Sequence, residues 1–429
     1  MRTDLIKADL SEEFDGYAAG AEAKVGVFDY LFGAYLIAMV ATNYTAYNNL
    51  LSSIGMAIPV LFLFTMFVGR YRFQREFYVF IAFYVWVLLG SLLSRYRLLS
   101  CFSFFYFIKI QFIMVVVALR CQSMRRIRFY LAVAGIGTAC IVVPALIISA
   151  RYMALDERLE GGANNPNALG SRTALSFIVW VCLLMIVHRR WKWIVFPIMI
   201  IISLRVIMLT GSRGAAVTAL ISAAAASWYV WRRGGHATKI LFPIALLAVA
   251  VIIFALGRDL PIMRRLAGLP VALGIETGYT GSGQETSIAR LLIAKQALGV
   301  FRDHPIFGAG YGTFRTYSQY IYTHTTPFEL LYATGIVGTF LYYLVIVSSW
   351  LVLSKAKKLF AHIPDISRYA DAGRILIITE LVAGLSLPTH LFKDQGIVSG
   401  IWLGTMWLMR SRMKEQLEAD VPAELPLPA

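Results

Sequence analysis

Charge is scarce in this chain. Only 15% of its 429 residues are Asp, Glu, Lys or Arg, against 59% hydrophobic. With a mean hydropathy of +0.67, a water-soluble globular domain is excluded, because so much apolar sequence would aggregate. Cysteine is sparse as well: Cys101, Cys121, Cys140 and Cys182 lie in or beside apolar runs without metal-ligand spacing. They read as packing residues and leave no disulfide framework. Acids are outnumbered, 24 Asp and Glu to 40 Lys and Arg. Those in the outer loops, among them Asp156, Glu160, Asp259, Glu285, Asp303 and Asp394, form no metal-type cluster. The first 27 residues are polar and acidic, which does not read as a cleavable signal peptide. No internal repeat is evident.

What the chain does have is apolar runs of about 17–25 residues, each enough to cross a bilayer as helix. They predict an all-α integral membrane protein of about twelve transmembrane helices, at 28–46, 50–69, 77–94, 100–119, 129–150, 172–188, 193–209, 215–231, 240–256, 328–353, 374–391 and 396–410. The net charge of +16 is carried by short loops such as 70–76, 120–128, 188–192, 232–239, 354–358 and 410–414. These all fall on one side if both termini are cytoplasmic. That is the positive-inside pattern, and it makes nucleic acid a poor partner. The expected organisation is a cytoplasmic segment 1–27, helices one to nine over 28–256, a large periplasmic loop 257–327, helices ten to twelve over 328–410, and a cytoplasmic tail 411–429.

Residues 286–338 form the long mixed-polarity stretch. Thr286 and Ser287 are good N-cap types for an amphipathic helix, with Ile288, Leu291, Leu292, Leu298 and Phe301 as its apolar side and Arg290 and Lys295 as cations. His304-Pro305 follows, then Gly308-Ala-Gly-Tyr-Gly312. The latter lacks the βαβ context of a dinucleotide fingerprint and reads as a flexible loop closing onto the membrane. His324 comes just before the next apolar run, with Thr325, Thr326 and Glu329 near. A neutral imidazole at headgroup depth can take a proton from a hydroxyl; equally, it can be an interfacial histidine without a chemical role.

Two further outer pieces carry candidates. In the corner 210–215, Ser212-Arg213-Gly214 sits where one span ends and the next begins, at about Gly214. A helix N-terminus beside a guanidinium suits an anion such as a diphosphate, while an arginine there can also snorkel to lipid headgroups. The loop with Arg158 and Gly161-Gly-Ala-Asn-Asn-Pro-Asn167 offers amides for sugar hydroxyls, yet Asn165-Pro166-Asn167 is also a good turn. Arg205 and Lys109, inside spans, are buried-cation candidates.

Together these residues resemble the bacterial O-antigen ligase and O-antigen polymerase family. Three motifs in order carry the likeness: the Pro-Asn loop from Arg158 to Asn167, Ser-Arg-Gly-Ala at 212–215, and the segment from Ala289-Arg290 through 304–312 to His324 and Gly-Ile-Val-Gly at 335–338. Where the family tends to have His-Asn, this chain has His324-Thr325. The resemblance implies a GT-C-like fold in the bacterial inner membrane, with a periplasmic active site and no cofactor or metal. It implies an undecaprenyl-diphosphate-linked glycan as donor and lipid A–core, or a second lipid-linked glycan, as acceptor. Arg213, Arg290 and His324 then map to the catalytic positions, and Arg213, Arg290 and Ser212 to diphosphate binding. Arg158, Asn167 and Glu329 become glycan or acceptor contacts. The alternative within the class is an O-antigen or exopolysaccharide polymerase, with a chain-length regulator as partner; a protein O-oligosaccharyltransferase ranks lower. A transporter or flippase fits less well, because transporters keep their charges near the midplane of broken helices.

Overall fold

A backbone in lipid must satisfy its own hydrogen bonds, so apolar runs of this length fold as helix. The computed structural model describes residues 24–42, 75–154, 159–160, 165–190, 192–233 and 282–419. Among them lie α1 (Val27–Ala41), α2 (Arg75–Leu93), α3 (Arg97–Arg120), α4 (Met124–Ala154), α5 (Pro166–Ile186) and α6 (Lys192–Thr210). They are followed by α7 (Arg213–Arg233), α8 (Ser282–Asp303), α9 (Thr326–Leu359), α10 (Pro364–Gly384) and α11 (Lys393–Ala419). Every expected span overlaps one of these, except 50–69 and 240–256, which fall outside the described residues, as does 257–281 of the long loop.

Seven of the described helices, α2 to α7 and α9, are long and apolar enough to cross a membrane. The described residues are therefore those of a helical membrane protein, although twelve spans are more than the described helices supply. The stretch 374–391 is corrected outright. Helix α10 begins ten residues earlier, at Pro364, and stops at Gly384. A turn and a 3-10 helix, Thr389–Leu391, follow before α11. Gly384, Ser386 and Pro388 terminate the helix inside a run that hydropathy alone reads as continuous.

Helix α11 is the axis of the bundle, with every residue from Lys393 to Met409 buried. It is surrounded by protein rather than lipid, and so can carry Lys393, Asp394 and Gln395 at its start. Its Gly396, Gly400 and Gly404 face α3: a Cβ on Gly400 would lie 2.6 Å from the Met114 carbonyl oxygen. Small residues four apart let two backbones approach this closely.

Ion pairs gather at one end of the bundle. Asp29, fully buried, accepts from the Arg120 guanidinium through both oxygens, at 2.7 and 2.6 Å. It also accepts from the Tyr130 hydroxyl at 2.9 Å. Glu76 on α2 takes the Arg410 fork from α11, and Asp371 on α10 pairs with Lys357 on α9 at 2.8 Å. These are the helix ends that border the basic loops. A buried charge costs several kcal/mol unless it is paired, so each pair ties two or three helix ends together there. The opposite end is left for the loops that hold the candidate site.

Candidate active site

At that opposite end, the corner between α6 and α7 folds as its sequence demands. Gly211 takes φ +61°, a conformation costly for other residues. The Ser212 hydroxyl then accepts from Ala215 N–H at 3.4 Å, so Ser212 caps α7 and Arg213 is its first residue. Ser212 itself is buried. Gly170 of α5 packs directly on Ser212, where a Cβ would meet the Ser212 Cβ at 2.7 Å. Beyond the corner, a Cβ on Gly214 would strike the Ser386 side chain in the turn after α10.

The same turn holds the His324 loop. Thr389 N–H donates to the Thr326 hydroxyl at 3.0 Å, and that hydroxyl lies 3.2 Å from the Leu387 carbonyl. Residues 386–389 thus bridge the Arg213 corner and the residues just after His324.

Helix α8 brings Arg290. It starts at Ser282, ahead of the Thr286–Ser287 cap expected, and its protein-facing stripe is Ile293, Ala297 and Val300. The expected apolar side faces outward instead, with Leu291 72% and Leu298 46% exposed. Arg290 is half-buried. Burial, and then the positive charge of Arg213, push its guanidinium below the usual range, with Tyr322 opposing. A guanidinium stays charged in proteins, so the shift expresses an electrostatic cost. Two cations share a partly desolvated space, and among the described residues no carboxylate forms an ion pair with Arg290. An anion bound between them would relieve that cost.

His324 lies in the same field. Burial and the charge of Arg290 lower its imidazole pKa from 6.5. Its ring meets Tyr322 edge-on, with centroids 4.5 Å apart. Among the described residues His324 is also the one non-glycine with positive φ, at 61°. Histidine tolerates this region better than most residues, but the conformation must be held by its surroundings.

The Gly-rich stretch is knitted into place, not flexible as its glycines suggest. Helix α9 breaks at Gly335 (φ 66°, ψ −170°), and the freed Ile336 N–H donates to the Pro305 carbonyl at 2.8 Å. Ala309 N–H reaches the Tyr332 carbonyl at 2.7 Å, and the Ser94 hydroxyl donates to the Ala309 carbonyl at 2.5 Å. Trp86 stacks on Phe307 at 4.4 Å and donates to the Thr334 carbonyl. The glycines at 308, 310 and 312 serve positive φ and close backbone approach.

Of the other expected site residues, Arg158 lies outside the described residues. Asn167 is half-exposed at the first turn of α5, where its N–H donates to the Asn165 side chain at 2.9 Å. Asn165-Pro166 is a helix start, an N-cap followed by Pro at N1, and not a free-standing turn. Glu329 is 2% exposed. Its carboxylate accepts from Thr323 N–H at 2.8 Å and from the Tyr332 hydroxyl at 2.9 Å, both partners inside the protein.

Nearby is a charged group that sequence alone barely signalled. Arg172, 7% exposed on α5, lies 3.3 Å from Asp394 at the start of α11. Lys393 sits in the fields of Arg172 and Lys109. This group thus sets Arg172 of α5, Lys109 of α3 and Lys393 of α11 around Asp394. Among the described residues no group of His, Cys, Asp and Glu is arranged to hold a metal ion.

Residues 198–343 match the O-antigen ligase family, a stretch that contains Arg213, Arg290, His324 and Glu329. Over this stretch the chain is similar to the O-antigen ligase family. Family members are membrane glycosyltransferase-like enzymes acting on lipid-linked glycans. A comparison with curated proteins finds no match. The matched O-antigen ligase stretch runs from α6 to the middle of α9 and leaves the Arg172–Asp394 group outside it.

Proposed function

We propose that this protein is a ligase-type glycosyltransferase of the bacterial inner membrane. It moves a glycan from undecaprenyl diphosphate to lipid A–core at the periplasmic face, without a metal ion. One observation carries the reading: Arg213 and Arg290 share one partly buried field, with the His324 imidazole beside them. Both termini would be cytoplasmic, with the ion-paired end of the bundle on that side.

In this reading the diphosphate sits between Arg213 and Arg290, beside the first N–H groups of α7 that Ser212 caps. The acceptor hydroxyl gives its proton to neutral His324 as its oxygen attacks the anomeric carbon. The bond from that carbon to the diphosphate oxygen breaks, and the configuration inverts. The two guanidinium groups take up the charge that develops on the leaving diphosphate. Asn167 and Arg158 are retained as glycan contacts. A polymerase would use the same donor half with a second lipid-linked repeat as acceptor.

Two outcomes test the chemistry. Transfer from extracted lipid-linked donor should persist at wild-type rate in EDTA; a loss restored by a divalent cation would remove the metal-free mechanism. The pH profile gives the second. Burial and Arg290 both disfavour the imidazolium, so the neutral base survives to lower pH than an ordinary histidine, whose pKa is about 6.5. The acid limb of kcat/KM should therefore fall below pH 6.5; a limb clearly above that value would contradict His324 as the base.

A further inference from the structure

The geometry points to Glu329 as a positioning residue for His324, an inference that rests on the proposed role of that histidine. Glu329 grips the chain on both sides of the strained residue. On one side, its Oε2 accepts from Thr323 N–H at 2.8 Å, with the Thr323 hydroxyl at 3.0 Å. On the other, its own N–H donates to the Thr325 carbonyl at 3.1 Å. Residues 323 and 325 are thereby tied to one point, and His324 between them takes the left-handed conformation, φ 61°.

The grip is itself braced. Tyr332, one turn on along α9 and fully buried, donates its hydroxyl to Glu329 Oε1 at 2.9 Å. The Tyr332 carbonyl in turn accepts from Ala309 N–H of the Gly-rich loop. Among the described residues no hydrogen bond holds the His324 ring itself; it packs against the ring of Tyr322. The backbone clamp therefore decides where the imidazole points. A left-handed non-glycine residue costs about 1–3 kcal/mol and persists only where its neighbours over-determine it. Misplacing a base by about 1 Å is enough to cost about a hundredfold in rate.

The carboxylate needs both oxygens as acceptors for this. In Glu329→Gln, the amide oxygen keeps Thr323 and the NH2 donates to the Tyr332 hydroxyl, so the charge-assisted bonds become weaker neutral ones and the clamp loosens while the side-chain volume is kept. The experiment uses the full-length protein in detergent or nanodiscs. The donor is lipid-linked glycan extracted from cells lacking this protein, and thermal unfolding is followed alongside. Glu329→Gln is expected to lower kcat at least tenfold, with the donor KM within about twofold and the unfolding midpoint near that of wild type. Thr323→Val, which keeps the backbone bond and removes only the hydroxyl, should lower kcat about two- to fivefold. If Glu329→Ala fails to fold, these two variants still decide the matter. Wild-type kcat in Glu329→Gln, or a loss confined to KM, overturns the positioning role. His324→Ala separates the two levels: full transfer in that variant overturns the catalytic reading beneath. Loss in His324→Ala with normal Glu329→Gln and Thr323→Val overturns the clamp alone.

Discussion

Arg290→Ala is expected to lower glycan transfer by about 10²- to 10³-fold, the usual cost of removing one preorganised group that stabilises transition-state charge. The protein should remain folded and in the membrane. The side chain contributes repulsion with Arg213 and no ion pair among the described residues, so its loss relieves a strain. A neutral methyl in its place leaves the departing diphosphate with one guanidinium instead of two. Arg290→Lys should recover only part of the rate, because an ammonium restores charge without the planar fork that fits phosphate oxygens. The measurement is transfer rate against thermal unfolding midpoint for both variants. Wild-type transfer in Arg290→Ala would remove the residue from the chemistry, and an unfolded Arg290→Ala would mark it as structural.

Gly400→Leu is expected to abolish accumulation of folded protein, by more than tenfold relative to wild type. Gly400 sits midway along the seam between α11 and α3, where even a Cβ would stand 2.6 Å from the Met114 carbonyl oxygen and 2.7 Å from the Val117 Cβ. Neither obstacle is the mobile end of a side chain. Overpacking a core typically costs about 1–3 kcal/mol, and here the collision is with backbone along the central helix. Gly404 repeats the arrangement against the Ala118 carbonyl at 2.6 Å. Gly299 supplies the control: it has nothing within 4 Å of its Cβ position, so Gly299→Leu should accumulate normally. Size-exclusion profiles of the two variants decide it, and a wild-type profile for Gly400→Leu would contradict the close α3–α11 seam.

How much of this was legible beforehand follows from what hydropathy measures. Apolar runs mark helices in lipid or in a protein interior, and among the described residues each such run overlaps a helix. Hydropathy does not report where a helix ends inside an apolar run, and so the turn at 385–388 was read as span. Nor does it say which face of a helix meets protein. On α8 the leucines look like the packing side, whereas Ile293, Ala297 and Val300 are buried. In a membrane protein both faces can be apolar, so the period alone does not choose between them. The Gly396, Gly400, Gly404 spacing is a readable signal for the close packing of the central helix on α3.

The site was partly legible because its residues are polar where their surroundings are not. Arg213, Arg290 and His324 stood out on that ground, and the fold brings their charges into one field. Glu329 stood out too, but proximity in sequence did not reveal that its carboxylate turns inward to Thr323 and Tyr332. The Arg172–Asp394 pair joins residues far apart in the chain, on helices whose contact no local pattern encodes.

The most direct test of the central claim is a lipopolysaccharide gel, with the undecaprenyl-linked pool, from a deletion strain complemented by wild type or by Arg290→Ala. If the site transfers glycan as proposed, wild type restores long-chain product. Arg290→Ala, at equal membrane abundance, leaves lipid A–core bare while polymer accumulates on undecaprenyl diphosphate. Core carrying a single repeat would move the assignment to a polymerase. A normal ladder from Arg290→Ala would contradict the shared arginine site on which the whole account stands.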